Sequence, residues 1–297
     1  MTTLKIKLPE IFNYQECLSF LHRGFDDCLH QINKNTIIKA LNIENNISLV
    51  SITYNQGILQ VSLLWGDSSP NHQALIKSYI NRWFDLQTDL KAFYDMGARD
   101  PILKPLIDKY WGLRLIGIED LFEALSWAII GQQINLGFAY KTKRALVEKY
   151  GKYVDYNGVP YYLFPTPEII SNCTVDALKK LQFSRNKATY IIALAQSFIQ
   201  GVISKEQLLA SGKGNSEEVV SQLTKLKGIG TWTANYAMMK CLKIPSAFPI
   251  QDVGLHNALK QQLDLDQKPS TDKILELSQG WKNWESYATV YLWRSLV

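Results

Sequence analysis

An aspartate directly before a predicted helix is the residue best placed to do chemistry in this sequence. Asp252 precedes the amphipathic segment 253–263. The N–H groups at a helix start favour a negative charge, and a fixed carboxylate can stabilise a developing positive charge or orient and deprotonate water. An aspartate in this position is also a common helix cap, and one residue can serve both purposes.

A second candidate lies upstream, where two glycines separate two amphipathic segments. Residues 216–226 and 231–242 have apolar residues at helical spacing. The interruption between them reads Lys227-Gly228-Ile229-Gly230. We expect a tight turn in which Ile229 fills the space between the helices and Thr231 caps the second helix. Backbone N–H groups of such a turn can bind a phosphate without reading sequence, although Gly-x-Gly turns are also common without that role.

The N-terminal part has the pattern of a small α+β domain. Apolar and polar residues alternate with a period of two within 36–65, which predicts strands. A turn signal at 55–57, ending in glycine, predicts a hairpin with a three-residue loop. Helices are predicted on either side of these strands, at 14–30 and 71–86.

From about residue 85 the apolar spacing is helical almost to the C-terminus. Further predicted features are a helix over 121–150 that stops at Gly151, a short hairpin within 153–162, helix starts at Thr166-Pro167 and Thr174, and a helix over 186–200.

The composition is that of an ordinary globular protein with a small excess of positive charge. The chain has 297 residues, 46% hydrophobic and 20% charged, with a formal net charge of +5, which permits a polyanionic partner without requiring one. No apolar run approaches the roughly 18 residues of a transmembrane helix, and the N-terminus lacks the apolar core of a signal peptide. The cysteines at 17, 28, 173 and 241 are too scattered for a zinc site or iron–sulfur cluster of clustered thiols. The sequence therefore predicts a cytoplasmic protein with reduced cysteines.

Several segments together resemble the helix-hairpin-helix DNA glycosylases. The strongest are 226–236, LKGIGTWTANY, and 247–255, AFPIQDVGL. They contain the superfamily's hairpin, Gly/Pro-rich loop and aspartate, here Gly228–Gly230, Pro245–Pro249 and Asp252. Segments 124–135, 164–167 and 281–293 also match. Within the superfamily the chain is most similar to the type II 3-methyladenine glycosylases, which remove alkylated bases.

The resemblance implies a mainly α fold with an N-terminal α+β domain like that of the TATA-binding protein. The implied division is an N-terminal domain over 1–88, a helical domain over 120–243 that ends in the hairpin, and a second helical domain from 89–119 with 244–297.

The resemblance also implies hydrolysis of an N-glycosidic bond. Breaking that bond develops positive charge on the sugar, and Asp252 matches the carboxylate that stabilises this oxocarbenium-like state. Relatives that also nick the strand through a Schiff base carry a lysine at the position of Trp232. Because tryptophan offers no amine, the resemblance implies a monofunctional enzyme in which water attacks. Lys227 and Lys240 are expected to be solvated or phosphate-facing charges.

A base flipped out of the duplex needs a pocket with flat apolar walls. The candidate wall residues, partly by resemblance, are Trp232, Tyr236, Trp293 and Phe20. Alkylation at N3 or N7 makes a purine cationic, and a cation over an aromatic ring gains about 0.5–2 kcal/mol. Ordinary core packing is the alternative role for each of these side chains.

The implied partner is double-stranded DNA containing alkylated bases, bound by a monomer without membrane, metal or organic cofactor. Candidate DNA contacts are Gly228, Ile229, Gly230 and Thr231 of the hairpin and Gln132 and Gln133 of a second loop. Gln133 stands where the best-known relatives place a leucine that fills the gap left by the flipped base. An amide gains less from stacking there but can bond the orphaned partner base. Hairpins of this family can also hold a monovalent cation through backbone carbonyls.

Two other functions remain open at this point. An oxidised-guanine glycosylase would nick the strand, and Trp232 in place of a lysine argues against it. A non-catalytic binder of damaged DNA would use the hairpin, but it would have no clear use for Asp252 and the aromatic residues.

Overall fold

The computed structural model describes residues 2–25, 27–211 and 216–297, which form two compact units. The sheet unit contains Met1–Leu8, Gly24–Trp83 and Ser126–Ser204, and the hairpin unit contains Pro9–Arg23, Phe84–Leu125 and Lys205–Val297. The predicted fold class, mainly helical with an N-terminal α+β region, is confirmed. The predicted division into 1–88, 120–243 and 89–119 with 244–297 is a different partition, and it stays a prediction.

The sheet unit is built on an antiparallel sheet. Within the described residues its strands are β1 (Thr3–Lys7), β2 (Gln31–Asn33), β3 (Thr36–Ile43), β4 (Asn46–Asn55) and β5 (Ile58–Trp65), in the order β1-β5-β4-β3-β2. A separate hairpin, β6 (Tyr153–Tyr156) and β7 (Val159–Tyr162), confirms the hairpin predicted within 153–162. Its Val154 and Tyr161 pack against Ala40 and Leu49 of the sheet, and this apolar contact ties the C-terminal part of the unit to its N-terminal part.

The turn between β4 and β5 is shorter than predicted. Asn55 pairs with Ile58, so the loop contains Gln56 and Gly57 rather than three residues. Both loop residues have positive φ, +46° and +77°, as a type I′ turn requires. Such a turn matches the right-handed twist of the two strands, and the pairing runs without interruption from Asn55 to Val50, where the register shifts.

The helices occupy most of the remaining chain. They are α1 (Tyr14–His22), α2 (Pro70–Trp83), α3 (Lys91–Gly97), α4 (Lys104–Lys109), α5 (Leu121–Gly131), α6 (Leu136–Tyr150), α7 (Pro167–Ser171), α8 (Val175–Lys179), α9 (Arg185–Ile199), α10 (Lys205–Ser211), α11 (Ser216–Thr224), α12 (Thr231–Ala237), α13 (Val253–Gln262), α14 (Thr271–Leu277) and α15 (Glu285–Arg294). In the described part of the chain, none of these helices is long and apolar enough to cross a membrane.

Two predicted helices differ from the structure. The helix predicted over 14–30 ends at His22, and the one predicted over 121–150 is divided into α5 and α6. Asn135 causes the second break, because its side chain accepts a hydrogen bond from the N–H of Phe138 at 2.8 Å and starts a new helix. Gly151 does follow the last residue of α6, as predicted, but its φ is −75°. A Cβ there would lie 2.3 Å from the carbonyl oxygen of Leu163, so close backbone approach requires this glycine.

The sheet unit also contains an ion pair between the buried Lys143 and the half-buried Asp27. The ammonium of Lys143 lies 3.1 Å from Oδ1 of Asp27 and 5.3 Å from the ring centroid of Trp127. Burial by itself would raise the pKa of the Asp27 carboxyl, but Lys143, His30 and the N–H of Leu29 together hold that pKa well below its usual value. The pair is therefore charged in the folded protein at neutral pH.

Candidate active site

The two helices of the predicted hairpin are α11 and α12, and the turn between them is tight. Gly228 has φ +86°, a left-handed conformation that glycine adopts without strain. Ile229 is buried, as predicted, whereas Gly230 and Thr231 are exposed. The prediction that Thr231 caps the second helix is wrong. Gly230 is the N-cap residue and Thr231 is the first residue of α12, because the chain turns into the helix one position earlier.

After α12 the chain forms a π-helical segment, Met238–Leu242, which sequence periodicity did not predict. Lys240 in this segment is buried, and its ammonium donates to the carbonyl oxygen of Ile116. The expectation that Lys240 is a solvated or phosphate-facing charge is therefore wrong. Burial and the neighbouring Arg23 and Lys243 cations hold the pKa of Lys240 well below its usual value.

Two polar side chains hold the loop that leads to Asp252. Asn235 of α12 donates to the carbonyl oxygen of Thr231 and accepts a hydrogen bond from the N–H of Phe248, both at 3.0 Å. The buried hydroxyl of Ser286 lies 2.7 Å from the carbonyl oxygen of Ile244 and 2.9 Å from that of Ala247. Sequence reasoning missed both roles. The available signal was that each residue lies inside a segment that matches the family.

Asp252 is the N-cap residue of α13, as predicted, and its carboxylate has partners on both oxygens. Oδ1 accepts the N–H of Leu255 at 2.8 Å and the indole N–H of Trp293 at 2.7 Å. Oδ2 accepts the indole N–H of Trp232 at 3.1 Å. Since the two indoles come from α12 and α15, they fix the carboxylate from two sides, and hydrogen bonds to a charged acceptor are among the strong ones.

Three aromatic rings lie beside Asp252. The ring centroids of Trp232 and Tyr236 are 5.7 Å apart, and those of Tyr236 and Trp293 are 6.2 Å apart. All three rings, like Asp252, are half-buried rather than fully buried. We call Asp252, Trp232, Tyr236 and Trp293 the acid–aromatic cluster. It presents electron-rich faces beside a negative charge, which suits a flat cationic or electron-poor group.

The helix α15 that carries Trp293 is anchored in the core of the hairpin unit. The hydroxyl of Tyr291 lies 2.7 Å from that of Tyr94 and donates to the carbonyl oxygen of Leu113 at 3.1 Å. One helical turn earlier, the buried Tyr287 hydroxyl donates to the carboxylate of Asp85. These buried contacts limit how far α15 can shift, so the indole of Trp293 is held in place over Asp252.

Phe20 is a buried residue of α1 in the hairpin unit. Its ring is contacted by the guanidinium of Arg23 at 3.9 Å and by the ammonium of Lys240 at 5.4 Å. Lys240 belongs to the π-helical segment that directly follows α12, the helix that carries Trp232 and Tyr236. Phe20 therefore contacts the continuation of that helix. Its role in a base pocket stays a prediction.

The loop between α5 and α6 lies in the sheet unit and has a defined conformation. Gln133 is exposed and has φ +54°, an uncommon conformation for a residue with a side chain, whereas Gln132 is half-buried. Asn135 caps the helix that follows the loop. On the other side, the ammonium of Lys187 donates to the carbonyl oxygen of Ile130 at 2.8 Å, a contact that sequence reasoning missed. Such left-handed residues cluster at functional sites.

Among the residues that the structure describes, no group of three or more His, Cys, Asp and Glu side chains is arranged to hold a metal ion. The monovalent cation expected at the hairpin backbone stays a prediction.

The indole contacts lead to a first prediction. Trp293→Phe keeps an aromatic ring but removes the 2.7 Å hydrogen bond to Asp252, and a hydrogen bond to a charged group is worth about 1.5–3 kcal/mol. For the catalytic role that the sequence predicts for Asp252, we expect the single-turnover rate to fall about 10- to 100-fold, with a small change in ligand affinity. Trp281→Phe is the comparison, since it removes an indole bond of the same 2.7 Å length to Asp100, and thermal unfolding is measured for both variants because Trp281 is fully buried. Equal rates for both variants would contradict a role for the Trp293 bond.

Comparisons with known proteins identify the family. The family described as HhH-GPD superfamily base excision DNA repair protein matches residues 126–283, and the N-terminal domain of 8-oxoguanine DNA glycosylase matches residues 4–125. The DNA-3-methyladenine glycosylase of Bacillus subtilis is 43% identical over 294 residues, which cover 98% of this chain and 96% of the relative.

Solved structures show the same fold. A 3-methyladenine DNA-glycosylase from Archaeoglobus fulgidus has a TM-score of 0.84 at 23% identity, covering 98% of this chain and 97% of its own. A Schizosaccharomyces pombe 3-methyladenine DNA glycosylase in complex with abasic DNA has a TM-score of 0.59 at 24% identity, covering 69% and 96%. The chain therefore belongs to the HhH-GPD superfamily of base excision DNA repair proteins, as a DNA glycosylase.

Proposed function

We propose that this glycosylase flips alkylated purines such as 3-methyladenine and 7-methylguanine out of double-stranded DNA and hydrolyses the N-glycosidic bond. The observation that carries the proposal is the acid–aromatic cluster, in which a half-buried carboxylate is held by two indole N–H groups beside three aromatic rings that are tilted against one another. The relative that covers 98% of the chain is named for 3-methyladenine, which supports the substrate class.

Asp252 would act on the sugar and on water. As the bond between C1′ and the base nitrogen breaks, the electron pair leaves with the base, and the carboxylate stabilises the cation that develops on the sugar. A cationic alkylated purine departs as a neutral base. The water oxygen then bonds to C1′ and gives its proton to the carboxylate of Asp252, leaving an abasic site.

The two oxygens of Asp252 are not equivalent in this reaction. Among the described residues, Oδ1 accepts two N–H groups, whereas Oδ2 accepts the N–H of Trp232. A carboxylate oxygen has two lone-pair directions, so Oδ2 keeps one for a water molecule. We therefore assign Oδ2 as the atom that orients the nucleophile.

The rings would recognise the flipped base by its charge and shape. Trp232, Tyr236 and Trp293 offer faces over which a cationic purine gains about 0.5–2 kcal/mol, and a damaged base also costs less to unstack. Phe20 is proposed as a further wall, from α1. A tryptophan at position 232 provides no amine for a Schiff base, so the proposed enzyme is monofunctional.

The DNA backbone would be held by the exposed turn of the hairpin. Gly230 is exposed, and nothing lies within 4 Å of the place where a Cβ would be, so a phosphate could approach the backbone of Gly228–Thr231 closely. A cation bound by the carbonyl groups of the turn would add to this contact. In the second loop, the exposed Gln133 is the proposed wedge, with Gln132 beside it. We expect affinity to fall as salt concentration rises.

A panel of damaged duplexes tests this function against its alternatives. The full chain is incubated with dimethyl-sulfate-treated duplex, with duplex containing 8-oxoguanine and with undamaged duplex, and released bases are separated by chromatography. We expect release of 3-methyladenine and 7-methylguanine, with strand cleavage appearing only after added alkali. Release of 8-oxoguanine with spontaneous nicking would instead support the oxidised-guanine alternative. This alternative is tested because residues 4–125 match the N-terminal domain of 8-oxoguanine DNA glycosylase. Binding without release of any of these bases would contradict the proposed substrate class.

A further inference from the structure

Gly254 is the second residue of α13 and lies beside the acid–aromatic cluster. A Cβ atom at this position would lie 2.9 Å from Oδ1 of Asp252 and 3.2 Å from both Cδ1 and Nε1 of Trp293. A carbon atom cannot lie that close to the carboxylate oxygen without displacing it, because such contacts are shorter than van der Waals separation.

The backbone does not explain this glycine. Gly254 is not among the glycines with positive φ, and its helical conformation is open to every L-residue. Glycine is moreover a poor helix residue, since alanine at an unhindered helical site is more stable. Position 254 therefore requires glycine because Asp252 and Trp293 leave no room for a side chain there.

Gly137 provides a comparison within the same chain. It is also the second residue of a helix, α6, and the helix is also capped by the Oδ1 atom of the residue two positions before, Asn135. A Cβ at Gly137 would lie 3.6 Å from Oδ1 of Asn135, an ordinary contact, with nothing else within 4 Å. Asp252 differs from Asn135 in that an indole lies across the first turn of its helix.

We infer that Gly254 is a positioning residue whose missing side chain lets the indole of Trp293 cross the first turn of α13 and reach Asp252. The inference rests on the proposed function, since it gives the 2.7 Å contact between Trp293 Nε1 and Asp252 Oδ1 a purpose in catalysis. Gly254 acts through these two side chains and need not touch the substrate.

Gly254→Ala should lower the rate of base release without unfolding the protein. The added methyl group must push either the indole or the carboxylate by a few tenths of an ångström or more, which lengthens or breaks their hydrogen bond. We expect the single-turnover rate of base release to fall about 10- to 100-fold, because misplacing reacting groups by as little as 1 Å has effects of that size. Duplex affinity and thermal unfolding should change little, since alanine favours the helix.

The experiment compares four variants of the full chain on dimethyl-sulfate-treated duplex: Gly254→Ala, Gly137→Ala, Trp293→Phe and the double variant Gly254→Ala with Trp293→Phe. We expect Gly137→Ala to match the unsubstituted protein. In the Trp293→Phe background the penalty of Gly254→Ala should shrink, since the hydrogen bond between Trp293 and Asp252 that the methyl group disturbs is then already absent, and only the part caused by the 2.9 Å contact with Oδ1 of Asp252 remains. An undiminished penalty in that background, or no penalty in the single variant, would overturn the inference.

A second readout does not depend on activity. In ¹⁵N-labelled protein, the Trp293 indole N–H resonance, assigned by its absence in Trp293→Phe, should shift in Gly254→Ala and stay in place in Gly137→Ala. An unmoved resonance in Gly254→Ala would overturn the steric basis of the inference. If the unsubstituted protein releases no base while this resonance shifts as expected, the proposed function fails and the positioning of Trp293 by Gly254 still stands.

Discussion

Replacing Asp252 with asparagine is expected to lower the single-turnover rate of base release by about 10²- to 10⁴-fold, the range that a positioned acid–base group contributes. The reason is electrostatic, because a neutral amide cannot balance the positive charge that develops on the sugar. The measurement is release of 3-methyladenine and 7-methylguanine from methylated duplex, with duplex binding followed in parallel by fluorescence anisotropy.

The fold should survive this substitution. Asparagine caps helices as well as aspartate does, so its Oδ1 can keep the bond to the N–H of Leu255. Its amide nitrogen would face the indole N–H of Trp232, and losing that one bond costs about 1–3 kcal/mol. Asp120→Asn is the matched control, since Oδ1 of Asp120 accepts the N–H of Glu123 in the same i to i+3 pattern. If Asp252→Asn released bases as fast as Asp120→Asn, Asp252 would have no part in the mechanism.

Replacing Asp27 with asparagine is expected to lower the free energy of unfolding by about 3–5 kcal/mol at neutral pH. The substitution removes the carboxylate that lies 3.1 Å from the ammonium of Lys143, whose side chain is 4% exposed. Chemical denaturation at pH 7 measures the effect. The second variant, Asp27→Asn with Lys143→Met, should recover much of the loss, since removing both charges of a buried pair is often nearly neutral.

The same ion pair predicts a pH dependence. Because the pKa of Asp27 is lowered in the folded state, its contribution to stability is present above the usual value of 3.8 and is lost as the pH falls below it. Wild-type protein should therefore lose its stability advantage over Asp27→Asn on acidification below about pH 4. Asp108 forms an ion pair with Lys104 in which the side chains of Lys104 and Asp108 are 57% and 64% exposed. Asp108→Asn should therefore lower the free energy of unfolding by less than about 1 kcal/mol. A comparable cost at the two sites would contradict the importance of the buried pair.

Local features of the fold could be predicted from the sequence. The glycine turn between α11 and α12, the burial of Ile229 and the capping of α13 by Asp252 all depend on residues within about one helical turn of each other. Errors in local structure arose where short-range signals compete. The helix predicted over 14–30 ended at His22, and the turn at Gln56-Gly57 closed with one residue fewer than expected.

The contacts of the site were decided by tertiary structure. Trp232 and Trp293 could be proposed as pocket residues, but their hydrogen bonds to Asp252 join positions 20 and 41 residues apart. The part of the crowding at Gly254 that comes from the indole of Trp293, at 3.2 Å, exists only once α15 packs against α13. The prediction that Lys240 is exposed was wrong for the same reason. The carbonyl oxygen of Ile116, which accepts a hydrogen bond from its ammonium, is 124 residues away in the sequence. Sequence patterns set the conformation of each segment through hydrogen bonds along the chain, whereas a side chain's surroundings depend on which distant segments pack against it.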